Sequence, residues 1–246
     1  VKQPAYDEMG FDGSFNFDCG PHLSCFLACC TGKKVWLYPY DVLCIRRNLG
    51  LTSSEFLRRH VSILDSPPVG YPVLLLNRGA QGEGRCTFAV DSGCTVYPDR
   101  PWICRLFPVM PTECRTDLTP ESERRFNVLV WEGCRGVGRG PAVTIRRWWE
   151  QAGIFRYEEN YLAWGGVIDR LKGAGRLPLT PAEAELFKLG SYDLDRFREK
   201  LLAGELKEDL SFVNSELERA ASDDGALQKI ACRWLQRVLL PGLSPS

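Results

Sequence analysis

The sequence predicts an α+β fold: a small cysteine-rich core of short strands and helices, followed by an all-helical C-terminal region. Three observations carry this. Eight of the ten cysteines between residues 19 and 134 sit in loops or at the ends of short β-rich runs. The run RCTFAV-DSG-CTVY, residues 85–97, is a hairpin signal: two β-rich segments around Asp91-Ser92-Gly93. From residue 143 onward the pattern becomes that of amphipathic and buried helices.

Taken in order, residues 1–18 read as an irregular lead-in and residues 19–30 as a cysteine loop. KKVWLYP reads as a short buried strand. Pro39 opens a helix that runs to Leu49 and stops at Gly50. Thr52 and Glu55 have capping-box spacing, which predicts a second helix to about His60. Pro67-Pro68 and Gly70 break the chain before the strand YPVLLLN. RPWICRLFP holds Cys104 between Pro101 and Pro108, a single helical turn. FNVLVWE is a strand ended by Gly133-Cys134. The loop GCRGVGRGP then leads to Thr144, a helix N-cap. Helices follow in TIRRWWEQAG, RYEENYLAWGGVIDRLKG, TPAEAELFKLG, YDLDRFREKLLAGEL and ALQKIACRWLQRVLL, with Thr180 and Glu183 again at capping-box spacing. The composition shift divides the chain into residues 1–142 and a helical region, residues 143–246, packed on the first.

A chain of 246 residues with 44% hydrophobic content can bury a core without disulfide staples. Its 11 cysteines are odd in number, so they cannot all pair internally. The start VKQPAYDEMG has neither a basic n-region nor an apolar h-region, so no signal peptide is expected. The longest apolar run, Cys25–Cys30, is far too short to span a bilayer. The expectation is a soluble, cytoplasmic protein whose cysteines are thiolate ligands. A formal net charge of zero argues against a nucleic-acid or membrane surface as partner.

The grouped cysteines are Cys19, Cys25, Cys29 and Cys30, then Cys86, Cys94, Cys104 and Cys134. This order, with Cys94-Thr95-Val96-Tyr97, Arg100-Pro101, Cys104-Arg105 and Phe107-Pro108, resembles the CxxCxxCC cysteine-cluster family. The family is also called YkgJ-like and described as a zinc- or iron-chelating domain. The resemblance covers about residues 15–140 and matches Cys134 to an eighth cysteine before a Gly-rich stretch. Asp41 also has a family counterpart. Cys19-x5-Cys25-x3-Cys29-Cys30 is looser than the family name, so Cys19 and Cys25 match less closely than the others. More distantly the arrangement is similar to that of flagellin lysine-N-methylase. That resemblance implies an iron–sulfur centre and points to S-adenosylmethionine-dependent protein methylation as an alternative function.

The chain contains no CxxC pair, whereas structural zinc sites are typically built from two such knuckles. Iron–sulfur clusters accept more varied spacings. The reading therefore favours an iron–sulfur cluster, 4Fe–4S in type and one or two in number, with zinc as the alternative. Eight thiolates exceed the four of one ordinary cluster, which leaves open two clusters, one larger cluster, or unused cysteines. Cys44 and Cys232, on predicted helices, read as buried hydrophobes. Cys114 and His22 stay open as ligands. Trp148, Trp149, Trp164 and Trp234 read as core. Gly136-x-Gly138 followed by Pro141 is not a dinucleotide fingerprint, although an anion could sit at the following helix start. A cleft between core and helical region is expected at the cluster edge, with Arg100, Arg105, Arg135 and Arg139 as anion contacts. Three functions follow: a cluster-binding protein with a redox or protein partner, a cluster-containing enzyme, or a structural zinc module.

Overall fold

The computed structural model describes residues 6–65, 68–79, 84–112, 120–206 and 214–242. Its elements run β1 (Ser14–Phe17), β2 (Trp36–Leu37), α1 (Pro39–Asn48), α2 (Ser53–His60), β3 (Val61–Leu64) and β4 (Val73–Leu76). Then come β5 (Ala89–Val90), β6 (Gly93–Cys94), α3 (Trp102–Leu106), β7 (Val109–Pro111), β8 (Phe126–Val128) and β9 (Val137–Thr144). The chain continues through α4 (Ile145–Gln151), α5 (Ile154–Gly173), α6 (Pro181–Ser191), α7 (Leu194–Leu202), α8 (Asn214–Ser222) and α9 (Asp224–Leu239). This is a mixed α+β fold with a helical C-terminal region. No described helix is long and apolar enough to cross a membrane.

Contacts gather the chain into two compact units that are not consecutive in sequence. One is residues 1–35 with 78–158, the other residues 36–77 with 159–246. This grouping differs from a cut at 142/143, because α1, α2 and the β2-β4-β3 sheet group with the later helices.

The first unit is built on antiparallel pairs: β1 with β9, β5 with β6, and β7 with β8. Phe11, Phe15, Leu106, Val109, Phe126, Ile145 and Trp149 form its core. Phe126 stacks edge-on with Trp149 and tilted with Phe11, both at 4.7 Å between ring centres. The β1–β9 pair was not expected, since residues 1–18 read as irregular and the Gly-rich run as a loop. Its register explains why. Asn16 faces Ala142, but Phe17 faces Val137. The intervening residues of β9 bulge out, and Gly138 and Gly140 hold φ of 83° and 76° there, which side-chain-bearing residues rarely adopt.

The second unit carries the three-stranded antiparallel sheet in the order β2-β4-β3 with α1, α2 and α6–α9. Thr52 caps α2 by accepting from the Glu55 N–H, and the Glu55 carboxylate returns to Thr52 N at 3.0 Å. Thr180 and Glu183 repeat this at α6, with the return bond at 2.9 Å. Phe56, Leu74, Phe187, Phe197, Trp234 and Leu235 are buried in this unit. Asp224 is buried against Arg46 and Arg47, each at 2.7 Å, and against Arg198.

Candidate metal centre

All eight grouped cysteines lie in the first unit. Several local devices bring them there. Leu27 has φ 64°, a left-handed conformation costly for a branched residue, and it opens the 3-10 turn Ala28–Cys30. That turn delivers Cys29 and Cys30. The Cys30 carbonyl accepts the Cys86 N–H at 2.8 Å, and the following residues continue as bridges, Thr31 with Arg85 and Arg78 with Cys86. The β5–β6 hairpin sets Cys94 opposite Ala89, whose N–H donates to the Cys86 carbonyl at 3.0 Å. Cys104 rides on α3, whose first turn is closed by the Cys104 N–H on Pro101 O at 2.9 Å.

At the other end, the Asp18 N–H donates to Gly136 O at 3.1 Å. A Cβ on Gly136 would fall 1.9 Å from the Asp18 carbonyl oxygen, so only glycine allows this approach. The contact lays residue 134 beside the first cysteine loop. The Arg135 N–H then donates to Cys25 Sγ at 3.1 Å.

Cys134 is buried, Cys19 and Cys104 are exposed, and the other five are half-buried. Cys19, Cys25, Cys29, Cys30, Cys86 and Cys94 carry free thiols. Burial and the charges of Cys29, Cys134 and Cys25 push the Cys19 thiol up to about 11. A hydrogen bond from the Cys30 thiol pulls Cys29 down against burial, and Lys33 assists, while Cys30 is driven correspondingly up. Burial raises Cys86 and Cys94, but backbone N–H groups of Phe88 and Ala89 bond to Cys86 and that of Val96 to Cys94, opposing the rise. Such N–H groups favour the thiolate, the form that ligates metal.

The donor chemistry fits a thiolate-ligated metal or cluster. The side chains are not gathered around one point: among the described residues no three His, Cys, Asp or Glu stand as a group that could hold a metal ion. The backbone brings Cys30 beside Cys86 and the Cys134 segment beside Cys25.

Other candidates separate from the group. Cys44 and Cys232 are buried on α1 and α9 of the second unit, as expected of hydrophobes. Cys114 lies outside the described residues. The His22 ring is 59% exposed and pairs with Asp18 at 2.7 Å, an exposed loop histidine. Asp41 is fully buried in the second unit and accepts the Tyr38 N–H at 2.8 Å, which makes it a cap of α1. Arg105 is not an anion contact. It is buried and donates to the carbonyls of Arg100, Ala152 and Pro98 and to the Tyr157 hydroxyl. Arg100 stacks on Tyr97 at 4.0 Å and lies within electrostatic reach of Cys94 and Cys104. Lys33, which sequence reading passed over, sits near Cys29 and over the rings of Phe107 and Trp131 at 4.9 and 4.8 Å. A lysine three residues past the cysteine loop and followed by Lys34 has no sequence signal that marks it. Trp149, Trp164 and Trp234 are core, and Trp148 is half-buried against Phe15 and Phe17.

No curated protein and no solved structure matches this chain. A family model does match, over residues 18–130, a span that includes seven of the eight grouped cysteines and ends before Cys134. That model is CxxCxxCC, described as "Putative zinc- or iron-chelating domain", and residues 18–130 of this chain are similar to it.

Proposed function

We propose that the chain is an iron–sulfur cluster-binding protein that uses its grouped thiols to carry electrons or to handle metal for a protein partner. One observation carries this reading: eight cysteines from distant stretches of sequence lie in one compact unit, where backbone bonds set Cys30 beside Cys86 and the Cys134 segment beside Cys25. The family description supports metal binding of the zinc or iron class. Iron–sulfur is favoured within that class because only Cys25-x3-Cys29 is near zinc-knuckle spacing and it has no second knuckle to pair with. A bound cluster would supply one-electron redox capacity at a potential set by burial and local charge.

The protein's own part in this is to hold the thiolates and set their surroundings. The backbone N–H groups at Cys86 and Cys94 favour ionised sulfur. Lys33 and Arg100 place positive charge beside Cys29 and Cys94, which offsets the negative charge of a thiolate-ligated group.

The test is anaerobic purification followed by iron, acid-labile sulfide and zinc analysis with an absorption spectrum. The expected product is brown, with iron and sulfide in near-equal amounts. A colourless protein with stoichiometric zinc and no sulfide defeats the iron–sulfur reading and leaves a structural zinc module.

A further inference from the structure

We propose that the second unit holds a binding site for short zwitterionic peptides, of dipeptide size, walled by α5, α8 and α9. Its residues all fall within 159–246, and none is a grouped cysteine, so it stands independently of the metal-binding reading.

A cavity of about 490 Å³ opens among these three helices. Ligand pockets run from roughly 300 to 1,000 Å³, so the space suits a small molecule. Gln228 lies in its wall and is only 3% exposed. Neither the Nε2 nor the Oε1 of its amide has a hydrogen-bond partner among the described residues. A buried polar group left unpaired costs about 1–3 kcal/mol, and this side chain has two. Leucine would fill much the same volume on α9 without that cost. The fold gains nothing from the amide, which leaves a ligand as the group it serves.

The charges on the cavity narrow the ligand. Some are already engaged: Arg233 holds Glu216 at 3.0 Å, and Asp223 caps α9 by accepting the N–H groups of Gly225 and Ala226. Glu159, Arg219 and Lys229 also line the cavity, are exposed, and make no ion pair among the described residues. Two cations and one carboxylate complement a molecule that carries both a carboxylate and an ammonium group. Each such contact is weak at an exposed site. The Gln228 amide selects among zwitterions, because a ligand that cannot pair with it leaves both groups unsatisfied.

A primary amide donates through Nε2 to a carbonyl or carboxylate oxygen and accepts a peptide N–H through Oε1. One residue of an extended peptide presents its N–H and C=O on the same side, the pair that antiparallel strands exchange. A free amino acid has no peptide N–H. A dipeptide is the smallest zwitterion that offers an ammonium group to Glu159, a carboxylate to Arg219 and Lys229, and a peptide group to Gln228.

Isothermal titration calorimetry of the full chain with glycylglycine, alanylalanine and δ-aminovalerate tests the site. Both dipeptides should bind saturably with Kd below about 1 mM. δ-Aminovalerate keeps the charge spacing of glycylglycine without its peptide group, and it should bind at least about tenfold more weakly. Gln228→Leu should weaken dipeptide binding at least about tenfold while its urea midpoint equals or exceeds that of wild type, since two unpaired groups are removed. Arg219→Ala/Lys229→Ala, at exposed positions, should weaken the dipeptides and δ-aminovalerate alike. Absence of saturable binding by either dipeptide overturns the proposal. So does δ-aminovalerate bound as tightly as glycylglycine, or a Gln228→Leu protein that binds like wild type. A lowered urea midpoint in Gln228→Leu also overturns it, because the amide then belongs to the fold. If Gln228→Leu precipitates, the comparison of glycylglycine with δ-aminovalerate on wild type decides.

Discussion

Arg100 lies four residues before Cys104 and Arg105 directly after it, and their guanidinium groups have different work. Arg105 satisfies three carbonyls and a tyrosine hydroxyl inside the first unit, with its planar group over the Tyr157 ring at 4.2 Å. Arg105→Ala would leave these acceptors unsatisfied, and a loss of about 3 kcal/mol of stability is expected. Arg139→Ala, at an exposed position, should change stability by less than about 0.5 kcal/mol. Urea unfolding of the two variants checks the contrast, and equal midpoints would refute it. Gly136 is a second single-residue constraint. Gly136→Ala drives a methyl group into the Asp18 carbonyl, 1.9 Å away, and should cost about 1–3 kcal/mol. Urea unfolding of Gly136→Ala against wild type reads that cost directly. Sequence alone marks the cysteines, because their grouping is dense. It does not separate a buried arginine from a surface one, since burial arises only once distant segments meet.

At the scale of elements, the strongest local signals were those that need no distant partner. The Thr52–Glu55 and Thr180–Glu183 boxes, the stop at Gly50, the hairpin turn at Asp91–Ser92 and the short α3 all formed where spacing and turn chemistry placed them. The β1–β9 ribbon escaped because its pairing jumps across a glycine bulge, so neither strand alternates along its length. Strands β3 and β7 and helix α8 were also missed. They are short, and β3 exposes three of its four residues. A prediction follows for the caps. Thr180→Ala removes the hydroxyl that accepts the Glu183 N–H and should cost about 1 kcal/mol. Backbone and side-chain hydrogen bonds from Thr180 hold the Glu183 carboxyl below its usual value. In Thr180→Ala that carboxyl should titrate closer to an ordinary glutamate, a change that side-chain carboxyl chemical shifts measured against pH would show.

At the scale of the molecule, the second unit depends on one carboxylate. Burial pushes Asp224 up, but bonds from Arg47 and Arg198 and the charge of Arg46 outweigh it, so its folded value lies below the ordinary one. The stabilisation is therefore complete above the unfolded carboxylate value of about 4 and is lost as pH falls through the lowered folded value. Asp224→Asn removes one of the two carboxylates that neutralise the buried Arg46, leaving Asp195 at 3.3 Å, and should cost about 2 kcal/mol near neutral pH. The gap between wild type and variant in urea midpoint should narrow below about pH 4. A gap that stays constant from pH 7 to pH 3 would exclude this role. Among the described residues, helices alone follow β9 after Thr144, but compactness follows different lines, because Arg46, Ser53 and Tyr71 find partners in Asp224, Asp195 and Trp164 of the same unit. No local pattern records pairings more than ninety residues apart.

That interleaving has a consequence for how the protein is made. Residues 36–77 leave the ribosome well before residues 159–246, which complete their unit. At about 5–20 residues per second the wait is on the order of ten seconds. During it, the faces of α1, α2 and β4 that later meet α6, α7 and α9 stand open to water and to other nascent chains. The cysteine unit likewise closes only when residues 134–158 emerge, so Cys19 to Cys104 wait as reactive thiols for their last partner. A chain truncated at residue 142 fixes that waiting state permanently. It should aggregate and be cleaved early in limited proteolysis within residues 36–77, whereas the full chain resists.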